Sequence, residues 1–293
     1  MRYYLIIVFI FIIQSLSAAT YYVAPTTATP AGNDANAGTI TAPWATWQMA
    51  ITGRSPGDTV YFRGGVYYET TSQSGSPSGT EAAPIYLYNY PGEVPILDGT
   101  YKTIRRSGFI LDRASYINIK GLTVRNQPQI DESNSLAGFA FQWCNNITVE
   151  NCVAYNIGVR GFYIFESDEI YFSNCDAYNC IDYLTDGEHG DGFLVWDTAE
   201  GSVYEAAHIY FDGCRAWNCA DDGWDAETEG YIELKNCWSF YNGSFDLSRA
   251  AGNGFKLGLT ELESDVLGKK ITNCIAAYNK GSGFTTNDRN WAA

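Results

Sequence analysis

The sequence predicts an all-β solenoid, a parallel β-helix, from three observations. Gly-aromatic pairs recur at Gly108-Phe109, Gly138-Phe139, Gly161-Phe162, Gly192-Phe193, Gly223-Trp224, Gly254-Phe255 and Gly283-Phe284, at steps of 30, 23, 31, 31, 31 and 29 residues. A second block precedes each of the last five pairs: Asn151-Cys152, Asn174-Cys175, Gly213-Cys214, Asn236-Cys237 and Asn273-Cys274. Short β-rich runs such as Ile147-Thr148-Val149 and Ile209-Tyr210-Phe211 lead into these blocks, with no helical periodicity inside the unit. A fixed period of this size marks stacked units, each burying its face only against its neighbours.

The Gly-aromatic pair begins nine residues after the Cys in the first, third and fifth of these coils, and seventeen after it in the second and fourth. The bare coil is thus about 23 residues, and two coils carry an eight-residue insertion. A propeller blade needs about 40 residues or more, which disfavours that rival. An Asn follows each Cys by four or five residues, at Asn156, Asn179, Asn218, Asn242 and Asn279, and stacked Asn side chains can hydrogen-bond along the axis.

Residues 1–19 read as a secretory signal. Arg2 supplies the positive end, Leu5 to Ile13 is an unbroken run of nine apolar residues, and Ser17-Ala18-Ala19 offers small residues for cleavage. Nine residues are too few to span a bilayer as a helix. Residues 20–293 read as one β-helix domain, because the continuous repeat overrides the length prior for two. Its N-terminal cap comprises a strand at Tyr21-Tyr22-Val23, a polar loop at Gly32 to Gly38 and a brief amphipathic helix at Pro43 to Ile51. Pro56-Gly57-Asp58 is a turn, Thr59 to Phe62 opens the first coil, and Ser74 to Gly79 is a Gly/Ser/Pro-rich loop. After Phe284 no cap is recognisable, so the stack is expected to be truncated at this end.

The formal net charge is −15. That argues against nucleic acid and an anionic membrane surface as partners, and it poses a problem for a polyanionic substrate that an intervening cation could resolve. The chain is expected to act as a monomer outside the cytoplasm, extracellular or periplasmic. Of eight cysteines, five recur at one repeat position, which predicts stacked, inward-facing free thiols rather than a disulfide framework. Cys180 and Cys219 are also equivalent to each other, and adjacent coils about 4.8 Å apart leave a bridge between them open.

The residues just before the Gly-aromatic pairs run Arg160, Asp191, Asp222, Asn253, and those three further on run Tyr163, Leu194, Asp225, Lys256. With Asp221, the bend Asp221-Asp222-Gly223-Trp224-Asp225 carries three acids, Asp191 lies one coil below, and Lys256 lies one coil above Asp225. Such crowding needs raised pKa values or a cation. Oxygen ligands suit Ca²⁺, which tolerates an irregular shell, and no His/Cys spacing suggests zinc. Solvated acids on a surface loop are the plain alternative, and the register with Asp191 and Lys256 argues against it. Beside a bound cation the ammonium form of Lys256 is disfavoured, which makes it the candidate base. His189, Arg160 and Asn253 are candidate substrate contacts, with surface roles as the alternative for the first two.

These motifs resemble family nine of the polysaccharide lyases. Asp191-Gly192-Phe193, the Asp-Asp-Gly-Trp-Asp bend and Gly252-Asn253-Gly254-Phe255-Lys256-Leu257-Gly258 agree with it in order and spacing, as do Cys214 to Asn218 and Asn273 to Asn279. The resemblance spans about Asn151 to Asn287. It implies a right-handed parallel β-helix, Ca²⁺ held by Asp191, Asp221, Asp222 and Asp225, and Lys256 as catalytic base. The chain departs from the family's usual Ala-Asp-Gly-Phe at His189-Gly190-Asp191-Gly192-Phe193, and it lacks the family's final coils. The expected activity is Ca²⁺-dependent β-elimination on polygalacturonate. Alternatives are a lyase for another uronate polymer, a glycoside hydrolase with an acid/base carboxylate pair, and a non-catalytic carbohydrate-binding protein.

Overall fold

A computed structural model describes residues 18–104, 106–132, 136–196, 207–228, 230–258 and 268–286. The signal segment, apart from its last two residues, lies outside them. The described chain winds through three parallel sheets of nine, eight and eight strands, each ordered along the axis with one strand per coil. The all-β reading holds: among the described residues one helix, Trp47–Ile51, accompanies 25 strands.

Register follows the sequence repeat. Phe109, Phe139, Phe162, Phe193, Trp224, Phe255 and Phe284 are successive partners across one sheet. The six from Phe109 to Phe255 are fully buried, and neighbouring rings from Phe139 onward stack at centroid separations of 4.7 to 5.1 Å. Burial of each such ring stabilises by about 1.5–3 kcal/mol. The glycine of the pair is there for close approach. A Cβ at Gly192 would sit 2.6 Å from both Ala216 Cβ and the Gly223 carbonyl oxygen, so coils could not stack at this spacing with a larger residue.

The Asn-Cys block has a backbone reason. Asn151, Asn174, Asn236 and Asn273 adopt φ of +50° to +55°, and Gly213 takes the same corner at +68°. Asn tolerates this left-handed region better than other side chains, and Gly is free in it. The Cys that follows then points inward. Cys152, Cys175, Cys214 and Cys237 are buried, Cys274 in the last coil is half-buried, and all eight cysteines are free thiols, including Cys180 and Cys219.

The five Asn residues after the Cys blocks belong to two columns rather than one. Asn156, Asn179 and Asn218 form an outer amide ladder with Asn126, joined by hydrogen bonds of 3.2, 3.0 and 2.6 Å. Asn242 and Asn279, one residue later after their Cys, turn inward. Asn242 Oδ1 accepts from the Cys219 amide at 3.0 Å, and its Nδ2 donates to Asn279 Oδ1 at 3.0 Å.

The N-terminal cap is present with shifted boundaries. Thr20–Val23 already pairs in parallel with Thr59–Phe62, so the sheet starts before the expected first coil. The helix begins at Trp47, later than its apolar pattern suggests. Thr46 is the N-cap, and Asp34 holds it by accepting from the amides of Ala45 and Thr46 at 2.8 and 3.0 Å. Trp47 closes the end of the core, packing edge-on against Phe62, Tyr67 and Phe109. Gln73–Gly75, expected as the edge of a loop, is a strand beneath Phe109–Leu111.

Burial pushes the Cys175 thiol well above its ordinary value. Cys152, Cys175, Cys214 and Cys237 are buried, so in native protein these four should resist alkylation, whereas denaturation without reductant should make them and Cys274 all reactive. Mass spectrometry of the labelled peptides would show pairing if this account is mistaken.

Candidate active site

The sheet that carries the Gly-aromatic ladder also builds the site. Parallel bonds run from the Gly161 amide to the Asp191 carbonyl, from Gly192 to Asp222 and from Gly223 to Asn253, at 3.0, 3.0 and 2.9 Å. Arg160, Asp191, Asp222 and Asn253 are therefore a column, as their spacing predicts. One turn along, Leu194, Asp225 and Lys256 are register partners. Strand geometry alone thus sets the carboxylates of neighbouring coils against one another.

Asp191, Asp222 and Asp225 each present an oxygen within 4.8 Å of the others, and all three are buried. The Asp222 amide donates to Asp191 Oδ1 at 3.3 Å. Asp222 Oδ1 accepts from both the backbone and side-chain nitrogens of Asn253, at 2.6 and 2.9 Å. Its Oδ2, fully buried, has no hydrogen-bond partner. Lys256 Nζ donates to Asp225 Oδ2 at 2.9 Å and lies 3.6 Å from Asp222 Oδ2. The Arg160 guanidinium, also buried, lies 3.6 Å from Asp191 Oδ2.

Asp221 sits beside this trio rather than within it. Its Oδ1 accepts from the amides of Ala251 and Gly252, at 2.6 and 3.4 Å, and so ties the bend to the insertion of the fourth coil. Asn253 is likewise engaged internally, since its Oδ1 accepts from the Ser282 amide at 2.9 Å while its nitrogens hold Asp222. His189 does reach the cleft. It is half-buried with Nε2 3.7 Å from Glu188, and burial, then the Arg160 charge, lowers its pKa and keeps it neutral.

Burial raises every acid of the cluster. Desolvation, then the charge of Asp225, holds Asp191 well above the carboxylate range. Asp222 is also raised by desolvation. Desolvation is the main cause that pushes Asp221 up to about 9 and Asp225 up to about 7, with Asp222 adding to both. Desolvation opposes the charge on Lys256, yet the aspartates outweigh it and raise its pKa above the ordinary ammonium value. These buried acids, with an Asp222 oxygen that accepts no hydrogen bond, fit a hard cation with oxygen ligands.

The cluster opens into a cleft of about 270 Å³. Of the predicted residues Arg160, His189, Asp191, Asp221, Asp225 and Lys256 line it, together with Leu194, Trp196, Ala251, Glu227, Glu188 and Arg249. The sequence signal for the last two lay in the insertions of the second and fourth coils, which carry them.

Comparison with known proteins fixes the family. A family described as "Pel9A-like, right handed beta helix region" matches residues 21–292. The chain belongs to that family. It is 30% identical to pectate lyase PEL9 of Emericella nidulans over 96% of this chain and 73% of that one, and 30% identical to pectate lyase L of Paenibacillus polymyxa over 82% and 55%. Among solved structures, pectate lyase Pel9A superposes with a TM-score of 0.72 at 26% identity, covering 92% of this chain and 66% of that one. A rhamnogalacturonan lyase gives 0.73 at 26%, covering 90% and 69%. The right-handed parallel β-helix and the pectate-lyase-like character expected from the sequence both stand. The chain spans a little over half to about three quarters of the length of these relatives. No helix among the described residues is long and apolar enough to cross a membrane.

Asp221 and Asp225 keep protons in the folded chain that the unfolded chain releases near pH 3.9. The folded state therefore binds more protons across that window, so cation-free stability should fall as pH rises towards 9. Thermal unfolding in chelator should give a midpoint several degrees lower at pH 9 than at pH 5.5. Added Ca²⁺ should raise it, and more at pH 9. Asp222→Ala should remove most of the Ca²⁺ response, and a cation-free midpoint that climbs with pH would contradict the buried cluster.

Proposed function

We propose that the protein is a secreted, monomeric, Ca²⁺-dependent lyase that cleaves polygalacturonate by β-elimination, with Lys256 as the base. One observation carries this reading: Lys256 Nζ lies on the cleft within 2.9 Å of Asp225 and 3.6 Å of Asp222, beside a three-carboxylate cluster. Family membership and the pectate lyase names of the two curated relatives support it. The apolar run Leu5 to Ile13, with Arg2 before it and Ser17-Ala18-Ala19 after it, supports secretion.

Asp191, Asp222 and Asp225 would hold the ion, with Asp221 completing the set predicted from sequence. Bound there, Ca²⁺ would neutralise the uronate carboxylate and stabilise charge developing beside it. The proton to be lost is α to that carboxylate. Lys256, as the neutral amine, takes it; the electron pair left on carbon forms the new double bond and expels the glycosidic oxygen. Without a cation the aspartates hold Lys256 protonated. Once their charge is engaged elsewhere, that grip weakens and the amine becomes available near neutral pH or above. Arg160 and His189, which line the cleft, contact the substrate, and Asn253 keeps Asp222 in place. The superposition on a rhamnogalacturonan lyase favours one second reading, a uronate-containing polymer other than polygalacturonate.

Unsaturated, ultraviolet-absorbing ends should appear from polygalacturonate with Ca²⁺ and vanish in excess chelator. Lys256→Ala should lower kcat by about a hundredfold to ten-thousandfold, the usual worth of a general base. Lys256→Arg should rescue poorly, because a guanidinium scarcely deprotonates. Activity should rise with pH as Lys256 becomes neutral. New reducing ends without ultraviolet absorbance would indicate a hydrolase instead, and an Ala variant with near-native kcat would move the search to His189.

A further inference from the structure

The two insertions, far apart in sequence, dock on each other. The Arg249 amide donates to the Asp186 carbonyl at 3.1 Å, and Ser248 Oγ hydrogen-bonds the Asp186 carboxylate. Gly187 packs so closely on Leu247 and Ala250 that a Cβ there would lie 2.9 Å from theirs. The third coil, which has no insertion, passes beneath with its acidic bend. The docked pair is thus one wall of the cleft, and its cleft-side residues are Glu188, His189, Arg249 and Ala251.

Charge on this wall differs from charge at the floor. Arg160 and Lys256 are drawn into the aspartate cluster, with side chains 6% and 21% exposed. Arg249 is 57% exposed on the rim, where it pairs with Glu188, itself 36% exposed. An exposed pair of this kind contributes little to stability, so a competing carboxylate can exchange with Glu188. A uronate polymer brings such a carboxylate on every residue, and a guanidinium receives it through two parallel bonds.

We propose that Arg249 is a substrate-binding residue that takes the carboxylate of a uronate neighbouring the one at the aspartate cluster, with Glu188 as its occupant in the free protein. This rests on the lyase reading above. The wall thereby selects a free carboxylate at a second position along the chain, and methyl esterification there is disfavoured.

The test measures steady-state kinetics on polygalacturonate, and calorimetric binding of oligogalacturonate to variants built on Lys256→Ala with Ca²⁺ present. Arg249→Ala should raise KM about fivefold to thirtyfold with kcat within about twofold, the loss expected for a hydrogen bond to a charged group. Arg249→Lys should recover part of it, and Glu188→Gln should lower KM by freeing the guanidinium. Binding should weaken in parallel for Arg249→Ala and lose part of its salt dependence. An unchanged KM and affinity in Arg249→Ala would overturn the proposal. So would equal weakening by Ser248→Ala, which loosens the docked loops and leaves the charge. If the parent binds oligogalacturonate but wild type makes no unsaturated product, the lyase reading fails and the Arg249 binding result still decides this one.

Discussion

The parallel ladder between coils is the constraint on which everything else in this molecule depends. Strands in such a sheet repeat at about 4.8 Å, so any residue type recurring at one coil position is forced into contact with its own kind. For Phe and Trp this is favourable, and the ring column from Phe139 to Phe284 is the result. For aspartate it is not. The same register that stacks Phe193 on Trp224 sets Asp191 against Asp222, and Asp225 against Lys256. The core holds apart from the site, and the site is strained electrostatically by the geometry that stabilises the core.

That coupling explains why the acids are not relieved by moving. Asp222 is fixed on both sides, by the Gly192 amide on its carbonyl from one coil and by the two Asn253 nitrogens on its carboxylate from the other. Gly223 has no room towards the interior, since a Cβ there would meet the buried Ser239 Oγ at 2.0 Å. A buried carboxylate that can neither rotate to water nor lose its neighbours has two remaining routes, protonation or a cation. Preorganisation of this kind is what makes a metal site selective for ligand number and geometry rather than simply negative.

Column positions were legible in the sequence because they are periodic. Glycine-aromatic spacing gave the sheet, one offset from it gave Asp191 and Asp222, and a second gave Asp225 and Lys256. What escaped was whatever departs from the period by one residue. Asn242 follows its Cys by five residues where Asn218 follows by four, so Tyr241 takes the left-handed corner at φ +58° and Asn242 turns into the core. Asp221, adjacent to the column, reads as a ligand by proximity but spends Oδ1 on the amides of Ala251 and Gly252. The helix start at Trp47 depended on Asp34, thirteen residues upstream, which no local pattern reveals.

Insertions obey a different rule. The second and fourth coils each add eight residues at the same corner, and the third adds none. Placed on adjacent coils, the two loops would have collided or stacked as one column. Placed with a bare coil between them, they meet over it and leave its acidic bend recessed between coil and wall. A recess of this form excludes water from the floor while keeping the rim wet. The exposed Arg249 and the half-buried His189 then share one small cleft with the buried carboxylates of its floor. The position of the insertions relative to the acidic coil, more than their composition, is what turns a repetitive scaffold into a site with an inside and an edge.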